Sequence, residues 1–309
     1  MSHRSCMSFI DYNLPLPVSA LPVRKNAVIR FDEPKIVFKH GQDFYLAPSR
    51  CAHRGASLAD AVVCKQRASL VCPYHGKRTS PDQKLFSHLG ILWTADPQKY
   101  FESAIGFSFC GSRSYTLNAA YHVVLDNFNE GSHTAYVHRL LGPTPEQTSD
   151  IRFSWKTNAD HLQIKYIGPQ RKNLLFYGLN SKQKIDWHIS WEAYFESSHM
   201  VYHSSWQDRT TGKKVLSENL NYYFINPIDE QRTELTAFVF TKPARWMRFL
   251  LPVVKKVSML LTNNQIEEDI ALYKKIGQIP KDFSGQPDKF DEPLGVLRKK
   301  MGVIFQKYL

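Results

Sequence analysis

Apolar positions along the 309 residues fall into two rhythms. Between residues 27 and 48, short apolar groups (Val28 and Ile29; Ile36, Val37 and Phe38; Phe44, Tyr45 and Leu46) alternate with turn-formers such as His40, Gly41, Gln42 and Asp43. That spacing predicts short antiparallel strands joined by hairpins. Further short strands are expected at 68–71 and 89–93, and prolines at 15, 17 and 22 mark the start of the chain as a tail. A small all-β domain is therefore expected over residues 1–112.

The second rhythm is longer. The apolar run 121–125 is read as a strand that opens a second domain, residues 113–309. Aromatic-rich segments follow at 151–156, 161–168, 185–197, 201–206, 220–225 and 234–240, joined by turns such as Thr211-Gly212-Lys213. A long helix is expected after Pro243. A curved antiparallel sheet wrapped around that helix, with a deep apolar cavity at its mouth, makes the fold class α+β. The aromatics alternate along the strands, so only some of them can face the cavity.

Composition agrees with packed domains: 43% of residues are hydrophobic and 13% aromatic. The net charge of +12 raises nucleic acid, an anionic membrane surface or an acidic protein as partners. No nucleic-acid-binding motif accompanies the charge, and the cations are spread along the chain, so nucleic acid is set aside. The segment 246–261 comes nearest to a membrane span, but Pro252, Lys255 and Lys256 break it. No signal peptide is read at the N-terminus. The five cysteines are Cys6, Cys51, Cys64, Cys72 and Cys110. An odd number, with two assigned to a metal below, argues for a reducing cytoplasm and against a disulfide framework.

The chemistry is concentrated in Cys51-Ala52-His53-Arg54-Gly55 and Cys72-Pro73-Tyr74-His75-Gly76. A structural zinc site usually places its cysteines first and its histidines after. Here each half supplies one thiol and one imidazole. That order suits a [2Fe-2S] cluster in which Cys51 and Cys72 hold one iron and His53 and His75 the other.

On these residues, the stretch from Cys51 to Gly76 resembles the Rieske motif. The chain from about 31 to 277 is similar to the Rieske non-heme iron oxygenases, the ring-hydroxylating oxygenase alpha-subunit family. The resemblance implies an N-terminal all-β Rieske domain followed by a helix-grip catalytic domain with a mononuclear Fe(II). The segment from Asn127 to His138 matches the family's iron motif, with His133 and His138 as ligands. Two histidines five apart diverge on an ideal helix and can share a metal only at a helix end or a widened turn. Gly142-Pro143 places that end near Leu141. A facial triad also needs a carboxylate. The late helix offers Glu267, Glu268 and Asp269, and the family pattern selects Asp269, with Glu268 next and Glu267 third. Glu130 takes the position of the acid that bridges a cluster histidine and an iron histidine between neighbouring subunits of a head-to-tail homotrimer. Its other reading is an acceptor that orients His133. Lys77 stands where the family usually has a tryptophan, so a more exposed cluster is expected, or Phe86 as a substitute.

The implied activity is a mono- or dioxygenase that hydroxylates or oxidatively demethylates a largely apolar small molecule with O₂. A separate NAD(P)H-dependent reductase, and a ferredoxin that would suit the basic surface, supply its electrons. Two other readings are a Rieske electron carrier without catalysis and a helix-grip carrier of lipids or small molecules. The basic helix from Arg245 to Lys256 is the place for a peripheral membrane contact. The remaining strand histidines, His188, His199 and His203, are expected to be packing residues.

Overall fold

The computed structural model describes residues 16–17, 27–30, 34–88, 91–93, 96–172, 184–195, 199–276 and 290–300. Cys6, the strand start expected at 89 and the strand end expected at 197 lie outside these residues. The chain divides into two compact units, Met1–Ser103 with Asn226–Asp229, and the remainder.

The first unit holds nine short strands: β1 (Leu16–Pro17), β2 (Ala27–Arg30), β3 (Pro34–His40), β4 (Asp43–Pro48), β5 (Val62–Val63), β6 (Leu70–Val71), β7 (Arg78–Thr79), β8 (Gln83–His88) and β9 (Ile91–Trp93). They form a six-stranded sheet in the order β1-β9-β8-β4-β3-β2 and a three-stranded sheet β5-β6-β7. The expected hairpin closes on Gly41 and Gln42, with His40 opposite Asp43. Ile36, Phe38, Ala47, Leu58 and Leu70 form a small core that also buries Cys51 and Cys72. Burying these side chains fixes the two ligand loops, because each thiol is itself part of the packing.

The second unit is a seven-stranded antiparallel sheet in the order β10-β16-β15-β14-β13-β12-β11. Its strands are β10 (Ser108–Leu117), β11 (Arg152–Thr157), β12 (His161–Pro169), β13 (Ile185–Tyr194), β14 (His199–Asp208), β15 (Glu218–Pro227) and β16 (Thr233–Lys242). The boundary expected at residue 112 falls inside β10. That strand pairs with β16 from Ser108 to Leu117 and so lies wholly in the second sheet.

Among the described residues, four α-helices complete the unit: α1 (Tyr121–Asn129), α2 (Thr134–Val137), α3 (Leu251–Ile276) and α4 (Glu292–Lys300). The run 121–125, expected as a strand, is the first half of α1. Five apolar residues in a row cannot separate a strand from a buried helix by periodicity. Tyr121, Val124, Leu125 and Phe128 bury at helical spacing.

The long helix expected after Pro243 begins at Leu251, preceded by a 3₁₀ turn over Arg245–Leu250. Pro252 is tolerated in its first turn, where its missing N–H leaves no bond unmade. The helix buries Val254, Ser258, Leu261, Thr262, Ile266, Asp269 and Tyr273. These positions recur every three or four residues and make one stripe. It packs against β10 and β16, while Trp187, Trp191, Ala193 and Trp206 from β13 and β14 join the same core. One carboxylate, Asp269, sits on this stripe. That placement puts a carboxylate in the core and marks a candidate site.

Candidate metal centres

In the first unit, two loops of matching geometry present the four cluster residues. The N–H of Gly55 donates to the carbonyl of Cys51 at 2.8 Å, and that of Gly76 to Cys72 at 2.9 Å. The N–H groups of Cys51 and Cys72 donate to the carbonyls of Ala56 and Lys77, each at 2.8 Å. Both glycines have positive φ, 67° and 66°. The thiols are buried, Cys51 4% and Cys72 2% exposed, whereas His53 and His75 are exposed. Their ring centroids lie 5.0 Å apart. The Cys72 thiol is held below its ordinary value chiefly by the backbone N–H of Tyr74, against the opposing effect of burial. A thiol tuned toward thiolate is a better metal ligand. The four residues therefore fit a cluster with two sulfur and two imidazole ligands.

Lys77 is exposed. The expected substitute aromatic, Phe86, lies on β8 opposite Trp93. The ring beside the ligand loop is Tyr74, whose centroid is 3.8 Å from that of His75.

In the second unit, α1 ends at Asn129 and the chain turns through Glu130, Gly131 and Ser132 before the single turn of α2. His133 and His138 are the residues that bound this turn on either side. The expected helix end is present, but at Val137, four residues earlier than Leu141. With a cap at each end, two imidazoles five residues apart converge. Their ring centroids are 5.1 Å apart, and Nε2 of His133 and of His138 lie 3.6 Å and 3.8 Å from Oδ1 of Asp269. One ligand atom from each of the three residues lies within 4.8 Å of the others. Asp269 Oδ1 is buried and accepts no hydrogen bond from the described residues. A buried carboxylate oxygen left without a donor suits a bound cation. Two imidazoles and one carboxylate match the donor set of a non-heme iron facial triad.

The other two carboxylates on α3 are placed differently. Glu267 is exposed and lies 3.7 Å from Arg113. Glu268 Oε2 lies 3.2 Å from Nδ1 of His138, and its carboxylate accepts the N–H of Arg139 at 3.3 Å. Glu130 meets Nδ1 of His133 and also accepts the N–H of Ser132 at 2.6 Å. Each histidine thus has its own glutamate on Nδ1, an arrangement that favours the tautomer with Nε2 free to bind metal. Burial opposes charge on both partners of the Glu130–His133 pair. Their mutual attraction outweighs it, holding Glu130 below and His133 above its ordinary value.

Two residues that sequence reasoning passed over fasten this segment. Gln170 donates to the carbonyl of Leu140 at 2.9 Å and accepts from the N–H of Gly142 and the indole of Trp206. Arg171 donates to the carbonyls of Ala135 at 3.1 Å and Gly142 at 3.2 Å, and also to that of Pro143. No local pattern signals such bonds, since their partners lie about thirty positions away in sequence. The strand histidines behave as packing residues where contacts are given: His203 meets Glu218 at 3.0 Å, and His199 stacks between Tyr194 and Phe224.

Beside the triad lies a cavity of about 80 Å³, walled by Phe128, Tyr166, Trp187, Trp191, Tyr202 and Tyr223. Trp191 and Tyr202 stack nearly parallel, their centroids 5.4 Å apart. Cavities that take a benzene ring measure roughly 150 Å³. In this conformation the space is smaller than a benzene-sized cavity. The deep apolar cavity expected from the sequence is thus compact, and polar groups interrupt its walls.

Comparison with known proteins places these observations in context. Residues 16–84 match the family described as the Rieske [2Fe-2S] domain. The whole fold is similar to that of solved Rieske oxygenases. One is dicamba monooxygenase bound to dicamba, with a TM-score of 0.59 and 15% identity over 95% of this chain and 96% of that one. Another is the NdmA QL mutant of Pseudomonas putida CBB5 with caffeine, with a TM-score of 0.60 and 16% identity over 93% of this chain and 88% of that one. No curated protein sequence matches the chain.

Proposed function

We propose that this chain is the oxygenase component of a Rieske non-heme iron system. It would use O₂ to hydroxylate or oxidatively demethylate a small molecule. The observation that carries the reading is the convergence of His133, His138 and the partnerless Asp269 Oδ1 beside an aromatic cavity, in a chain that also contains a Rieske domain. Bound at these sites, the cluster would supply single electrons and the mononuclear iron would supply dioxygen activation.

The rest of the work falls to the chain's own residues. His133, His138 and Asp269 would hold the metal. Glu268 keeps His138 turned, and the aromatic walls exclude water from the reacting face. Cys51, His53, Cys72 and His75 hold the cluster. Glu130 orients His133 and, in a head-to-tail trimer, forms the near half of a bridge to a cluster histidine of the next subunit. A reductase, directly or through an acidic ferredoxin, would recharge the cluster, and a cytoplasmic setting agrees with thiols kept as metal ligands. The exposed Trp246 and Phe249 between Arg245 and Arg248 support a peripheral membrane contact of the kind amphipathic segments make. Among the described residues no helix is long and apolar enough to cross a membrane.

The test is elemental and catalytic together. The purified protein is expected to carry iron and acid-labile sulfide in a ratio of about three to two, and to consume O₂ only when reductant and substrate are both present. Zinc in place of iron and sulfide would reject both centres. A reducible cluster without substrate-dependent O₂ uptake would favour the electron carrier.

A further inference from the structure

The residues that wall the cavity beside the triad carry more hydrogen-bond donors than the described residues satisfy. Tyr166, Trp187 and Trp191, respectively 1%, 3% and 3% exposed, line it. The phenol of Tyr166 and both indole N–H groups are buried and have no partner among the described residues. Three indoles elsewhere in the chain are paired. Trp206 donates to Gln170 at 3.0 Å, Trp155 to Glu292 at 3.1 Å and Trp93 to the carbonyl of His88 at 3.4 Å. The unmatched indoles are those that wall the cavity. Buried N–H and O–H groups in folded proteins are nearly always paired, so a cluster of unpaired donors on one cavity points to a ligand that completes them.

The polarity of that ligand follows from what lines the space. Four unmatched donors on the wall residues, Tyr166 Oη, Trp187 Nε1, Trp191 Nε1 and Asn127 Nδ2, stand against one unmatched acceptor, Asn221 Oδ1, once Asp269 Oδ1 is assigned to the metal. Among the described residues no lysine or arginine lines the cavity, while Glu130 and Asp269 do. A carboxylate ligand would meet two acids, and the raised imidazole of His133 that also lines the space is already paired with Glu130. A hydrocarbon would leave the donors unmatched. Neutral donors between aromatic faces suit a carbonyl oxygen or a ring nitrogen.

Resting on the oxygenase reading, we infer that the substrate is an uncharged ring compound bearing carbonyl or ring-nitrogen acceptors, held by Tyr166, Trp187 and Trp191. This narrows the largely apolar substrate expected from sequence. Discrimination by such donors is strong because the wrong ligand leaves buried polar groups unpaired.

The experiment measures binding of three probes of similar shape, acetophenone, benzoate and ethylbenzene, to the full-length protein stripped of mononuclear iron, by quenching of intrinsic fluorescence and by thermal shift. Acetophenone is expected to bind at least about tenfold more tightly than either of the others, the value of one good hydrogen bond. Trp191→Phe and Trp187→Phe keep an aromatic wall and remove one donor. Each is expected to weaken acetophenone binding several-fold more than it weakens ethylbenzene binding. Equal or tighter binding of ethylbenzene or benzoate overturns the inference. So does an equal loss for all three probes in the variants, which would mean packing alone, and so does binding of none by a folded protein. Because binding is read without the iron, its rank order stands apart from O₂ uptake, and failure of the oxygenase reading would show in O₂ uptake alone.

Discussion

Glu268 and His138 meet across 3.2 Å, Oε2 to Nδ1, although 130 residues separate them in sequence. The contact brings α3 against the end of α2 and turns the second iron-ligand candidate so that Nε2 faces Asp269. It gives Glu268, the runner-up for the metal-binding acid, a separate task. Replacing it with alanine should release the imidazole and lower iron affinity by roughly ten- to a hundred-fold, as loss of such a partner does at other metal sites. Glu268→Gln, which still offers an acceptor oxygen, should fall in between. Iron titration of the stripped protein, with cluster absorbance as the internal control, measures this. Unaltered affinity in the alanine variant would reduce the contact to packing.

Asp269 is the only carboxylate on the buried stripe of α3, and its removal should cost the mononuclear iron outright. Asp269→Ala is expected to retain the cluster spectrum and both sulfides while losing about one iron in three. Iron counting alongside the visible spectrum distinguishes this from general unfolding. A full iron complement would place the third ligand elsewhere.

Proton competition at His133 sets the acid limit of iron uptake. Glu130 keeps the His133 value above 6.5, so a proton must leave the imidazole before metal can bind. Affinity should therefore decline as pH falls through that raised value, beginning on the neutral side of 6.5. In the metal-free protein the same pair acts on stability with opposite sign. The His133 contribution is present below 6.5 and is lost as pH rises through its folded value. That of Glu130 is present above 4.5 and is lost as pH falls through its depressed value. Glu130→Gln should move the uptake midpoint downward and flatten the stability profile between those limits. An unmoved midpoint would mean that Glu130 does not set the His133 charge.

Gly142 follows the ligand segment with φ of +78°, and a Cβ there would lie 2.8 Å from Cγ2 of Thr134 in α2. Gly41 has a similar φ of +63° but open space around it. Gly41→Ala should cost about 1 kcal/mol from the left-handed backbone alone. Gly142→Ala should cost roughly 1–3 kcal/mol more and disturb iron binding as well, because Thr134 lies directly after His133. Urea melts of both variants give the comparison; equal losses would mean that α2 yields freely.

Most of the candidate ligand set could be proposed from sequence because its chemistry is local. Cys51, His53, Cys72 and His75 lie within 25 residues, and the alternation of thiol and imidazole separates a Rieske cluster from zinc without knowledge of the fold. His133 and His138 could be read through the helix end that their spacing demands. Choosing among Glu267, Glu268 and Asp269 needed a family pattern. The stripe Val254, Leu261, Ile266 and Tyr273 carries the same answer, since only position 269 falls in register with it. Residues 121–125 were misread because five consecutive apolar side chains carry no period. Gln170, Arg171 and the Glu268–His138 contact were out of reach for another reason: each depends on which strand or helix arrives from far along the chain, and nothing in the neighbouring residues encodes it.

The Rieske loops sink their sulfur ligands in protein and leave their two imidazoles in the open. Electron tunnelling falls off steeply with distance, so a centre insulated on one side and bare on the other has a single gateway. In the head-to-tail trimer proposed above, a neighbouring subunit's Glu130 would take one imidazole of that gateway and leave the other to the electron donor. A donor mimic that covers the free imidazole should therefore slow reduction of the cluster and leave delivery to the iron intact.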